Sequence, residues 1–165
     1  MKRILNNERN TFTIEYYGMK LDFEFFTKSF ILEELKKFEN DNIISSVKPI
    51  KIPNKKCPFT KLINYYNSEQ KDKRYFFAYI KFFEFNGKEY GLVGGKTNYI
   101  YRDINFDKDS DTIARTFLRN KKYEWSREIV IVNCKEENFK NKWEADKQVR
   151  FLERFLQRKF NLLDS

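Results

Sequence analysis

Apolar positions recur along this chain at two periods, one suited to strands and one to helices. Between Arg74 and Thr97 the residues RYFFAYIKFFEFNGKEYGLVGGKT form two runs rich in aromatic and β-branched side chains, parted by Asn86-Gly87. Asn-Gly between such runs predicts a hairpin, because both central positions of the tight turn need φ > 0. A two-residue turn sets Phe85 opposite Lys88, Phe83 opposite Tyr90, Lys81 opposite Leu92 and Tyr79 opposite Gly94. Residues 11–26, TFTIEYYGMKLDFEFF, read as two short strands around Gly18-Met19. Thr27 or Ser29 then caps a helix through Phe38, and Asn40-Asp41-Asn42 ends it. A second helix is expected from Thr112 to Lys121, with Ile113, Ala114, Phe117 and Leu118 inward. The apolar run REIVIVN, 127–133, predicts a buried strand. A long helix from Phe139 to Asn161 carries Ala145, Val149, Leu152 and Leu156 as its core stripe. The order predicts an α+β fold: a small central, mostly antiparallel sheet flanked by helices, with an N-terminal hairpin and helix as an embellishment. At 165 residues the chain is expected to be a single domain, since domain sizes peak at about 100–150 residues.

Charge sharpens this picture. The net charge is +9 and the pI about 9.4, which points to a polyanionic partner or an acidic membrane surface. From Asn42 to Ser68 there is no acidic residue, while Lys48, Lys51, Lys55, Lys56 and Lys61 are all basic. Pro49, Pro53 and Pro58 keep the middle of this basic loop over 42–68 extended, and PFTKLINYYNS reads as a short helix with Pro58 at its start; the lysines with Tyr65-Tyr66 suit phosphate contacts with base or sugar packing. Arg115, Arg119, Lys121 and Lys122 form a second acid-free cationic stretch. No apolar run reaches the ~18 residues of a membrane span, and MKRILNNERN lacks the apolar core of a secretion signal. Cys57 and Cys134 have no metal spacing and read as reduced thiols of a cytoplasmic protein. Histidine is absent. That excludes Ser-His-Asp and Cys-His catalysis, HExxH and Cys₂His₂ zinc sites, and histidine-based nucleases. Hydrolysis here would fall to carboxylate, tyrosine, lysine or arginine with a divalent metal.

Segment 77–97 resembles the opening of the GIY-YIG nuclease domain, in which a tyrosine-bearing strand, an Asn-Gly-Lys turn and a second tyrosine-bearing strand come in succession. Phe77-Ala78-Tyr79 stands where Gly-Ile-Tyr would, and Asn86-Gly87-Lys88-Glu89-Tyr90 follows at the family's usual distance. Gly91-Leu92-Val93-Gly94-Gly95-Lys96-Thr97 has two residues more than the family's Ile-Gly-x-Thr. The family continues with an arginine on a helix, a strand, a metal-binding glutamate on a helix and often an asparagine. Arg115, strand 127–133, Glu153 and Asn161 occur in that order. The resemblance spans about 77–161, making 74–161 the nuclease core and 1–73 an embellishment that embraces a duplex. It implies that Glu153 holds one Mg²⁺ or Mn²⁺, that Tyr79 deprotonates a water with its pKa lowered by Lys96 or the metal, and that Arg115 neutralises transition-state charge. Either Arg115 or Arg119 fits the arginine, since Tyr123 lies four residues after Arg119. Either Tyr90 or Lys96 fits the second-tyrosine site. The activity implied is a sequence-specific, restriction-type DNA endonuclease that cuts double-stranded DNA as a homodimer.

Two other readings fit the same residues. A PD-(D/E)XK-like nuclease needs a Glu-x-Lys on a strand, whereas Glu34-Leu35-Lys36 falls on an expected helix and Glu69-Gln70-Lys71 in a loop. A non-catalytic basic protein that binds nucleic acid, or a phage-type inhibitor of a nucleic-acid enzyme, accounts for the charge and aromatics without a catalytic set. Glu153→Ala separates these classes, because only an enzyme has cleavage to lose.

Overall fold

A computed structural model describes residues 8–39, 44–51, 77–97, 113, 123–134 and 142–164. Two strands, β1 (Arg9–Tyr16) and β2 (Met19–Phe26), form a separate antiparallel hairpin. Helix α1 (Lys28–Lys36) follows. Strands β3 (Ile44–Lys51), β4 (Phe77–Phe85), β5 (Lys88–Thr97) and β6 (Glu124–Cys134) precede helix α2 (Lys142–Lys159) and a two-residue strand, β7 (Leu163–Asp164). The main sheet has the order β3-β6-β4-β5-β7, antiparallel except where β5 meets β7. The fold is therefore α+β as the sequence implies, with the N-terminal hairpin present. Among the described residues no helix is long and apolar enough to cross a membrane.

Local chemistry sets the element ends. Both hairpins turn through residue pairs with positive φ, Tyr17-Gly18 (49° and 76°) and Asn86-Gly87 (50° and 78°). Asn and Gly suit that left-handed region, whereas a bulky residue there carries roughly 1–2 kcal/mol of backbone strain. The first turn is thus one residue earlier than Gly18-Met19, and it holds Tyr17 with its ring 85% exposed. Thr27 caps α1, its Oγ1 accepting from the Phe30 amide at 3.2 Å. Helix α2 ends in a Schellman motif: Asn161 takes φ 53°, and the Leu162 amide donates to Gln157 O at 2.9 Å. The Asn161 side chain also donates to Glu24 O, tying this end of α2 to β2.

Both helices cover one face of the sheet. Ile31 and Leu35 of α1 and Val149, Leu152 and Leu156 of α2 pack with Ala78, Ile80, Phe82, Val130 and Val132. On the other face the β1–β2 hairpin adds Phe12, Ile14 and Phe25 to a cluster with Phe83, Tyr90, Leu92 and Tyr123. Phe12 anchors it edge-on, with ring centroids 4.9 Å from Phe83 and 4.8 Å from Tyr90. Each such ring, fully buried, contributes about 1.5–3 kcal/mol from area alone.

Three expectations are corrected. Residues 44–51 of the supposed 42–68 loop form β3, so Lys48 and Lys51 lie on a strand paired with β6. Pro49 breaks the apolar run that would have marked it. An edge strand tolerates proline because the missing donor is on the unpaired side. The Val47 amide, two residues back on the same outer side, donates to Glu39 Oε1 at 3.2 Å. Second, the hairpin register holds for Phe85–Lys88 and Phe83–Tyr90 and then slips, so Lys81 faces Val93 and Tyr79 faces Gly95. Phe82 pairs with Gly91, which leaves Leu92 as the extra residue of a β-bulge. Leu92 and Val93 both join the aromatic cluster, and the faces of β5 are offset beyond them. Third, α1 stops at Lys36, short of Phe38. Lys55, Lys56, Lys61, Arg115, Arg119, Lys121, Lys122 and nearly all of the helix expected over Thr112 to Lys121 lie outside the described residues.

After the bulge, successive glycines serve opposite faces. A Cβ on Gly94 would lie 3.0 Å from Gln157 Cγ and 3.1 Å from Leu162 Cδ1, whereas a Cβ on Gly95 would overlap the Tyr79 ring. Gly95→Ala is therefore expected to destabilise the protein by about 1–3 kcal/mol in urea unfolding. Combining it with Tyr79→Ala is expected to cost less than the two single changes together.

Candidate functional site

The residues singled out by sequence divide between the two faces of the sheet. Tyr79, Tyr90 and Tyr123 lie on the face away from the helices. Tyr79 is buried with its ring over Gly95, and Lys81 Nζ lies 5.8 Å from the ring centroid. Tyr90 and Tyr123 are buried in the aromatic cluster, 5.7 and 5.5 Å from Phe83 between ring centroids. Burial pushes the Tyr123 phenol above its ordinary pKa, the wrong direction for a general base at neutral pH.

Lys96 and Glu153 meet on the helix face. Lys96 Nζ is 3.3 Å from Asp146 Oδ1, and Arg150 Nη2 is 3.2 Å from Asp146 Oδ2. Gln157 Nε2 donates to Gly94 O at 2.7 Å and to Asp164 Oδ1 at 3.1 Å, which closes the seam between β5, α2 and β7. Glu153 is half-buried at this seam. Its carboxyl is held above the ordinary range by burial and then by Asp164, against the pull of Lys96, Arg154 and Arg150. The sheet separates Glu153 from Tyr79. Arg115 and Arg119 are outside the described residues, so the structure brings together only Lys96 and Glu153 of the hydrolytic set.

These surroundings do not fit a divalent ion at Glu153. Mg²⁺ and Mn²⁺ ask for oxygen ligands, whereas Glu153 has one carboxylate neighbour and three cations around it. No group of three or more Cys, Asp or Glu able to hold a metal occurs among the described residues.

A feature not singled out by sequence lies on the outer side of α2. Lys147, Arg150, Arg154 and Arg158 are all exposed, and at 3.6 residues per turn they share an arc of about 100° or less. Phe151 borders that arc and is 61% exposed. Arg154 and Arg158 make no ion pair among the described residues. The three- and four-residue spacing was readable in the sequence.

The start of α1 offers the opposite charge. A cleft of about 720 Å³ there is lined by Glu8, Glu33, Glu84, Glu89 and Glu128, with Lys28 and Lys88 among them. Lys28 Nζ lies 2.6 Å from Glu89 and 2.6 Å from Glu128, and Ser126 Oγ donates to Glu89 at 2.8 Å. Burial alone would lower the Lys28 pKa, but the two carboxylates outweigh it and hold the ammonium above its ordinary value. Its contribution to stability is present below the unfolded lysine value and lost as pH rises through the raised one. So acidic a cleft repels phosphate, whereas the outer side of α2 attracts it.

Two substitutions test this electrostatic map. Lys28→Met leaves two half-buried carboxylates without their shared cation and is expected to destabilise the protein by about 1–3 kcal/mol at neutral pH in urea unfolding. Glu153→Gln has the opposite sign. A carboxyl whose folded pKa is raised stabilises while protonated, and that contribution is lost as pH rises through the folded value. The Gln variant is expected to melt at a higher temperature at pH 7, with the gain vanishing once acid protonates Glu153. Comparison of the chain with protein-family models, curated proteins and solved structures found no match.

Proposed function

We propose that this protein binds nucleic acid through a cationic face and does not cleave it. The observation that carries this reading is the outer face of α2, where Lys147, Arg150, Arg154 and Arg158 line up in the open. The inner face of α2 is committed to the core through Val149, Leu152 and Leu156. The stripe is thus held on a fixed rod, at the spacing of helical turns. Released counterions would supply most of the affinity of such a face for a phosphate backbone. The net charge of +9 favours the same class of partner. Hydrolysis as the resemblance implies it needs a phenol, a guanidinium and a carboxylate over one phosphate, and the separation of Tyr79 from Glu153 by the sheet weighs against it.

The restriction-type, metal-dependent endonuclease remains a second reading because of one observation. Glu153 sits on the helix that follows β6, the position in chain order that the resemblance gives its glutamate.

Fluorescence anisotropy with labelled DNA over a range of salt concentrations tests the first reading. Wild-type protein is expected to bind with an affinity that falls steeply with salt. Arg154→Glu with Arg158→Glu is expected to weaken binding at least about tenfold and flatten the log–log salt slope by roughly two. Unchanged affinity in the double variant would refute the assignment. Plasmid incubated with Mg²⁺ or Mn²⁺ is expected to stay intact; discrete bands that Glu153→Ala abolishes would establish the nuclease instead.

A further inference from the structure

Phe151 sits at the edge of the cationic arc of α2 and joins no apolar cluster among the described residues. Its ring is 61% exposed, belongs to neither apolar core, and makes no ring or cation contact among the described residues. Phe155, one turn later, packs edge-on against Phe38 at 5.6 Å and lies against the main core. A single exposed apolar side chain is ordinary on a protein surface. Here the position distinguishes it: Phe151 borders the arc of Lys147, Arg150, Arg154 and Arg158, with Lys147 one turn before it and Arg154 one turn after on the helix surface, so a phosphate chain held by those cations would pass beside it.

We propose that the target of the α2 face is single-stranded nucleic acid, with an unpaired base stacked on Phe151. This deepens the nucleic-acid-binding reading and rests on it. Arg154 and Arg158 are about 6 Å apart along the helix axis, as are Lys147 and Phe151, so cations and ring alternate on the scale of one nucleotide in an extended strand. In a duplex the base faces are already stacked, and a ring on a straight helix would meet only groove edges and sugars. An unpaired base offers its π-face at no such cost. Stacking between guanidinium-held phosphates is the general way in which sequence-tolerant single-strand binding is built. An anionic membrane also attracts cationic helices, but interfacial helices insert a whole apolar face. The apolar face of α2 is occupied by the sheet, and Phe151 is an exposed ring among the described side chains of its outer side.

The test compares a labelled oligo(dT), its RNA counterpart oligo(U) and a blunt DNA duplex of equal length, with phosphatidylserine vesicles as a fourth arm. Wild-type protein is expected to bind single strands at least about tenfold more tightly than the duplex. Phe151→Ala, a change on an exposed helix face, is expected to weaken single-strand binding about 5- to 100-fold and leave duplex binding within about twofold. Phe151→Trp keeps the ring and is expected to retain affinity, with indole fluorescence quenched on adding oligo(dT) beyond the wild-type change. Equal affinity for single strand and duplex, both indifferent to Phe151→Ala, would overturn the inference while leaving nucleic-acid binding intact. Vesicle binding that Phe151→Ala abolishes, without single-strand binding, would also overturn it. Failure to bind any nucleic acid would remove the underlying function as well.

Discussion

The rest of the structure depends on one irregularity in backbone pairing. Leu92 is an extra residue between the pairs Phe82–Gly91 and Lys81–Val93. Without it, Tyr79 would face Gly94, the glycine that lies against Gln157 and Leu162. With it, Gly94 gives α2 and its tail room to approach β5 from one side, and Gly95 receives the Tyr79 ring from the other. Leu92 and Val93 meanwhile both enter the aromatic cluster. One bulge thus reconciles two close-packed layers that a regular hairpin would set in conflict, and it decides which chemistry shares a face. The carboxylate and ammonium of Glu153 and Lys96 fall on the helix side, and the phenols fall on the other.

Much of the architecture was legible in the sequence because its signals are local. Asn86-Gly87, the Thr27 cap and the Val149–Leu152–Leu156 stripe each specify an element through neighbours a few residues away. What escaped were features that depend on accumulated register. A bulge adds a single residue and leaves no clear compositional mark beyond the glycines it later exploits. The placement of Lys96 on the helix side, away from Tyr79, depends on that residue. Strand β3 was hidden for another reason: Pro49 and two lysines make it look like a loop, and only pairing with β6 shows it to be the sheet's rim. The α2 stripe was readable in principle, since its spacing is helical and its members are named cations. Recognising it required knowing which side of the helix the sheet leaves uncovered.

Charge is distributed with the same division of labour. The cleft at the start of α1 gathers carboxylates around Lys28, so this end of the sheet is closed by an ion-pair network. Lys147, Arg150, Arg154 and Arg158 of α2 look outward, and Arg154 and Arg158 make no ion pair among the described residues. A basic protein with an acidic cleft has an orientation preference toward any polyanion, because the cleft repels what the α2 cations attract. Association would therefore be steered before any specific contact forms.

The outer rim of β3 has a different consequence. At Val47 the outward amide is taken by Glu39, and at Pro49 there is no amide to offer. Neighbouring positions on the unpaired side of the strand are thus both unable to donate to a visiting chain. An aromatic-rich sheet with an open margin would otherwise invite strand-by-strand growth into aggregates. Here the margin is blunted by a borrowed carboxylate and a ring nitrogen, and the sheet ends where it should.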